Sequence, residues 1–484
     1  MSIKRFFATK DNTITNAFKE NLVNSGSLAN MGASDILEIF SIYGQATTSS
    51  LEKSRILIDF PVSDIATART SGDIPASGSV KFKLKLFNAR HSDTTPSNFT
   101  VSINPITSDW SEGIGLDMEN YSDLDASNWE SASYGTSWTT LGGDYSKGNL
   151  STAKTFAVGP EDLDVDVTEV VESWIRNDIS RYGFLIKMSG SSEDGSLERS
   201  FYTKKFFARG TEFFFKRPCI EAQYDLSILD DRSSVFKSSS LAPASENLNN
   251  IYLYNRIRGQ LHDIPTTGSE LVVQLFTSSA TNGTPSTLPI LGGVNSHSPT
   301  FITASKHSKG IYKAQFAYDG SQTKLYDVWH RSDDGSLVTL TTGSQVTIYS
   351  DNQESVYDQS EYTVNITNLK KYYKTTENAN FRVYTRNKNW DPNIYTVASK
   401  RAPVSKIKEG YYQISRVVDN FQIVSFSTGS LENKYSKLSY DSSGSFFNLD
   451  MSILEPNYLY EISFAYKDNT VFKEIEDKFR FRVH

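Results

Sequence analysis

In Val80-Lys81-Phe82-Lys83-Leu84-Lys85-Leu86 every second residue is apolar and every residue between is a lysine. Side chains on a strand point alternately to its two faces, so this stretch turns four apolar groups one way and three charges the other. A sheet with one wet face and one buried face is characteristically antiparallel. The neighbourhood reads the same way. Ser54-Arg55-Ile56-Leu57-Ile58-Asp59-Phe60 is a strand stopped by Pro61, and Tyr182-Gly183-Phe184-Leu185-Ile186-Lys187-Met188 is another. Residues 212–224 (EFFFKRPCIEAQY) close this first block. Two helical signals interrupt it. Val167, Val170, Val171 and Trp174 share one face of a turn over 167–176. In 11–25, Ile14, Phe18 and Leu22 recur at helical spacing behind Asp11 or Thr13 as caps, which predicts a short helix.

Downstream, the Ser/Asn/Ala-rich stretch within 226–250 reads as a linker. Short strands at 270–276, 311–316, 324–330, 337–341 and 345–349 follow, with Asp319-Gly320 and Asp334-Gly335 as turn signals. A third block has strands at 362–366, 381–386, 411–416, 422–426, 458–466 and 478–483. There, Leu454-Glu455-Pro456-Asn457-Tyr458-Leu459-Tyr460 has the form of a tyrosine corner. The expected fold is therefore all-β. An N-terminal docking segment with a short helix (1–32) leads into a jelly-roll β-sandwich (33–225). After the linker come two immunoglobulin-like β-sandwiches (251–355 and 356–484).

The 484 residues carry a net charge of −7, which argues against a general grip on nucleic acid. No apolar run is long enough for a membrane span. The start, from Met1 to Lys10, has no long apolar core, so no secretory signal is expected and the chain reads as made in a cytoplasm. A single cysteine, Cys219, excludes an internal disulfide framework and reads as a buried, inert thiol. Six scattered histidines show no metal-ligand spacing. G-x-S-x-G, P-loop and H-E-x-x-H motifs are absent, so no enzymatic activity and no cofactor are expected. The acidic stretch with Glu112, Asp117, Glu119, Asp123, Asp125 and Glu130 offers hard oxygen ligands of the kind calcium takes. Its Asp123-x-Asp125 lacks the glycine and terminal glutamate of an EF-hand, and a solvated acidic loop is the plainer reading.

Trp110, Trp129, Trp138 and Tyr134 are candidate contacts for a glycan or a partner, because an aromatic face suits the apolar face of a pyranose. The competing reading places large aromatics of a sandwich in its core. Trp329 reads as the core tryptophan of the second block. Lys204-Lys205, Lys370-Lys371 and Lys400-Arg401 read as solvated basic pairs. Arg5, Phe6, Phe7 and Phe18 mark the segment expected to dock on a partner.

Several of these pieces recur together elsewhere. The order Arg55–Phe60, Val80–Phe87, Trp110-Ser111-Glu112, Trp129, Asp166-Val167-Thr168, Gly183-Phe184 and Arg217-Pro218 resembles the DNRLRE-type modules, single-domain jelly rolls related to a carbohydrate-binding family. The resemblance covers about residues 33–225 and implies a glycan-binding ancestry for that block. The stretches Arg5-Phe6-Phe7-Ala8-Thr9-Lys10-Asp11-Asn12-Thr13-Ile14-Thr15-Asn16-Ala17-Phe18-Lys19 and Asn30-Met31-Gly32-Ala33-Ser34-Asp35-Ile36-Leu37-Glu38 resemble structural proteins of marine T-even-like phages, the cyanophages and their relatives. This implies a virion component made in the host cytoplasm, a homo-oligomer in contact with other virion proteins. The alternative that the first resemblance implies is an adhesion module holding host surface glycans.

Overall fold

The computed structural model describes residues 2–90, 96–122, 125–265, 270–278, 301–333, 336–349, 361–391, 394, 404–428, 434–468 and 471–484. The pairs Asp334-Gly335 and Lys400-Arg401, and Asp123 of the acidic stretch, lie outside the described residues. Strand makes up 46% and helix 8%, so the protein is all-β. It divides into two compact units, one of Ile3–Tyr224 and one of Asp225–His484 with the N-terminal Met1–Ser2.

In the first unit the Val80–Leu86 strand alternates buried and half-buried along its whole length, with the lysines outward. It lies in an antiparallel four-stranded sheet ordered Ile3–Phe7, Cys219–Tyr224, Val80–Leu86, Leu163–Asp166. The larger sheet runs Phe201–Phe207, Ile36–Tyr43, Leu51–Asp59, Phe184–Met188, Phe99–Pro105, Thr152–Phe156, and Lys10–Thr15 also pairs with Leu51–Asp59. Phe82, Leu84, Ile220, Ile56, Ile58, Phe184 and Phe156 are all sealed from solvent, giving one apolar core. The helix Thr168–Arg176 forms where its valines predict it, with Trp174 fully buried 4.7 Å from the Phe184 ring. It is tied to the helix Val62–Thr70 by a two-pronged Arg69–Glu172 ion pair.

The N-terminal expectation is corrected. Residues 11–25 are not a helix: Lys10–Thr15 is a buried strand, and the residues after it form a loop. The spacing of Ile14, Phe18 and Leu22 misleads because only Ile14 is sealed in the core, Phe18 bridges to Ser25, and Leu22 stands at a loop tip. Nor is the start a separate docking arm. Ile3–Phe7 is the edge strand of the small sheet, Phe6 is core, and the Phe7 ring lies 5.7 Å from that of Phe214. Arg5 pairs with Glu221 at 2.8 Å, both nearly sealed. Burial pushes the Glu221 carboxyl up, but Arg5 and Lys85 outweigh it and hold it at about 2. On the same strand as Glu221, Cys219 is buried and its thiol is pushed up to about 11, as an inert thiol should be.

In the second unit the expected linker is also corrected. Val235–Phe236 pairs with Ser336–Tyr349, and Asn249–Tyr254 pairs with Ile311–Phe316. The sheet runs Val235–Phe236, Ser336–Tyr349, Lys324–Asp333, Glu270–Phe276, Ile302–Ser308, Ile311–Phe316, Asn249–Tyr254. Its two outermost strands meet through one side chain: the Asn249 carboxamide accepts from Phe236 N and donates to Phe236 O, both at 3.0 Å. Polar composition signalled looseness, but here asparagines take the place of backbone partners. Trp329 sits in the core so enclosed, as expected, donating to Asp327 at 2.8 Å.

The last strands form a four-stranded sheet (Tyr362–Ile366, Asn378–Asn387, Gly444–Asp450, Ser439–Asp441) and a six-stranded one built on Leu459–Asp468 and Gly410–Arg416. An aromatic stack fills the space: Phe447 lies 4.9 Å from Phe381 and 4.2 Å from Tyr412. The tyrosine corner is present, with buried Tyr460 donating its hydroxyl to Glu455 O at 2.7 Å.

Candidate contact surface

The strand Lys10–Thr15 carries polar side chains into the first unit, and each finds defined partners. Asn12 is fully buried. Its amide donates to Ser127 O and Oγ at 2.9 and 2.8 Å, and its carbonyl accepts from Met31 N. Asn30, also fully buried, donates to Glu112 O and Ser127 O and accepts from Gly32 N and Gly115 N, so all four of its hydrogen-bonding positions are used. The packing is close enough to require glycine. A Cβ on Gly115 would stand 1.9 Å from Asn30 O. Together these bonds lock the loop 16–34 to the loop 106–130.

A third anchor joins both to the turn at Arg209. Asp11 N donates to Glu112 Oε1 at 2.8 Å, Arg209 N donates to Asp11 Oδ2 at 2.6 Å, and the Arg209 guanidinium grips both Glu112 oxygens. Burial pushes the Asp11 carboxyl up to about 7 against the opposing bond from Arg209 N, with the Glu112 charge adding to the rise.

Beneath the loops lie the three tryptophans expected as glycan contacts. Trp110, Trp129 and Trp138 are buried with Ile14, Leu57 and Leu185. Trp110 donates to Tyr182 O and Trp138 to Asn128 O. Lys10 covers the Trp110 ring at 4.9 Å and the Arg55 guanidinium covers Trp129 at 4.8 Å. These rings support the loops and offer no open face to a sugar. Tyr134, by contrast, is 76% exposed, on the hairpin of Ser131–Ser133 and Thr136–Ser137.

The acidic stretch is distributed. Glu112 holds Arg209, Asp117 accepts from Glu119 N and Asn120 N, Glu119 accepts from Glu20 N, and Glu130 accepts from Ser27. No group of three His, Cys, Asp or Glu that would hold a metal occurs among the described residues.

The locked loops expose large apolar side chains among polar ones. The first forms a tight reversal in which Lys19 N donates to Asn24 O and the Asn21 side chain accepts from Val23 N and Asn24 N. At its tip Leu22 takes a positive φ of 51° and Val23 is 77% exposed. The second loop exposes Ile114, Leu116 and Tyr121. Lys19 and Glu20 bond to Glu119, and Ala29 bridges to Ser122, so the two loops run side by side. A separate polar cleft of about 280 Å³ is lined by Thr107, Ser108, Thr139, Thr140, Gly143, Asp144, Tyr145 and Lys147. Asp144 accepts from Thr139 N, Thr140 N and Ser108, bonds that outweigh its desolvation and hold its carboxyl below the usual range.

Sequence reading missed Asn12, Asn30 and Arg209. A signal existed: Asp11-Asn12 inside a strand with buried neighbours, and Asn30-Met31-Gly32, are placed where a polar side chain must find backbone partners. No protein-family model matches the chain, and no curated protein matches it in sequence.

Proposed function

We propose that this protein is a non-enzymatic structural component of a tailed-phage particle, working through protein–protein assembly contacts made by the two locked loops. The observation that carries the reading is the exposure of Leu22, Val23, Ile114, Leu116 and Tyr121 on two side-by-side loops anchored by buried asparagines. Large apolar side chains gathered on neighbouring loops suit an interaction surface, and a preordered loop loses little entropy when it docks. The resemblance of residues 5–19 and 30–38 to phage structural proteins suggests the setting: a host cytoplasm, multi-copy partners and a homo-oligomer. The test is Val23→Asp with Ile114→Asp in the infecting phage. Particles that form without this protein, while the variant still folds, support the reading. Normal incorporation of the variant, or absence of the wild-type chain from purified particles, overturns it.

A second reading, a module binding host surface glycans, is favoured by the hydroxyl-rich cleft around Asp144 and Tyr145. Saturable binding of host polysaccharide that is lost in Tyr145→Ala and Lys147→Ala, but kept in Val23→Asp, would select it over the first.

A further inference from the structure

Lys204 is one of a pair that reads as solvated, and it is fully buried. The strand Phe201–Phe207 bulges between Phe201 and Lys204, where Thr203 takes a φ of +43°. The extra residue changes the phase of the alternation, so Lys204 and Phe206 turn inward while Lys205 stays half-exposed. The Lys204 amine lies 4.7 and 4.9 Å from the centres of the Phe156 and Phe206 rings. It donates to Asn88 Oδ1 at 2.6 Å, Gly159 O at 2.8 Å and Glu161 O at 2.6 Å. Desolvation pulls its pKa down to about 8, against the pull of the Asp162 and Glu161 charges. The three donated bonds belong to the ammonium; loss of one of its protons, which the lowered pKa eases near neutral pH, frees the lone pair of the nucleophilic amine.

Asn88 follows closely on the strand Val80–Leu86 of the small sheet and bridges to Phe206 on the edge of the large one. Its backbone N–H is fixed by Asp162 Oδ1 at 2.7 Å. The Asn88 side-chain amide, half-buried, is thereby held against the buried Lys204 amine beside two aromatic rings, with the exposed Asp162 carboxylate on the Asn88 backbone.

We propose that Lys204 and Asn88 form an intramolecular isopeptide bond. The neutral Lys204 Nζ adds to Asn88 Cγ, and a proton passes from Nζ to Asn88 Nδ2. The Cγ–Nδ2 bond then breaks and ammonia leaves. One C–N bond forms, one breaks, and no oxidant or reductant is needed. The product staples the two sheets of the sandwich covalently, a function a single-cysteine chain cannot obtain from disulfides.

The test is the intact mass of the full-length folded protein. The wild type should weigh about 17 Da less than its sequence, the mass of one ammonia, and digestion should release a branched peptide joining the segments around 88 and 204. Asn88→Ala should restore the full mass. Asn88→Asp, which can only lose water, should show a deficit of about 18 Da instead. A folded wild type at full mass, with Lys204 in a linear peptide, would overturn the proposal. So would a deficit that persists in Asn88→Ala.

Discussion

The first unit and the C-terminal sandwich solve the same packing problem by different means. Ile3–Tyr224 buries ions and amides: Arg5 with Glu221, Arg55 with Glu193, Lys204 with three oxygens, and Asn12 and Asn30 with loop backbone. The strands between Tyr362 and Val483 bury rings, with Phe381, Tyr412 and Phe447 stacked at the centre. Hydrogen bonds and ion pairs are directional, so they hold irregular loops in one geometry, and removing one partner leaves the other stranded. Ring packing leaves no charge or polar group stranded and tolerates volume-conserving exchange. The region that presents long loops is the one built on directional contacts.

The sharpest way to break this contrast is Arg55→Met. Arg55 donates to Glu193 at 3.0 and 2.6 Å and to Gly142 O at 2.6 Å, so the change leaves the buried Glu193 carboxylate only the longer ion pair with Lys53 at 3.7 Å. It should cost the first unit about 3–5 kcal/mol in denaturant unfolding. A loss below about 1 kcal/mol would show that the pair does not hold the loop. Phe447→Ala should cost the C-terminal sandwich about 3–4 kcal/mol, while Phe447→Leu costs less than about 1.5. Equal costs for the two would mean that ring geometry, not volume, matters there.

Asp11 separates the regions by pH. Its folded carboxyl titrates at about 7 against an ordinary 3.8, so the folded state binds the proton more tightly. The resulting stability is complete below about pH 4 and is lost as pH rises through 7. Between pH 5 and 8 the wild type should lose roughly 2–3 kcal/mol that Asp11→Asn does not. Parallel pH curves for the two proteins, read from thermal unfolding, would dismiss Asp11 as the source. The smallest effect belongs to Val23→Asp, which should change stability by no more than about 0.5 kcal/mol because the side chain is exposed. A larger loss would mean the loop tip packs on its own unit and is not a free surface.

Much of the fold could be read in advance where burial and sequence share one period. The lysines of Val80–Leu86 all face outward as the alternation demands. Tyr460 makes the corner bond its motif implies, and Thr168–Arg176 is helical where its valines predict. The candidate contact surface was less legible. The tryptophans expected to face a ligand are the loops' foundation, and the exposed apolar residues lie in stretches whose spacing suggested a helix or an acidic coil.

What the sequence alone determined is the all-β class and the main inward faces, because period-two alternation depends only on neighbours along the chain. What tertiary structure decided is which polar groups go inside. Lys204 and Lys205 are chemically identical, and a one-residue bulge at Thr203 sends the first into the core and leaves the second near water. Asn12 and Asn30 become anchors only because distant carbonyls and amides of residues 112–127 arrive beside them. A buried polar side chain is stable only if its partners come to it, and those partners lie far away in the chain.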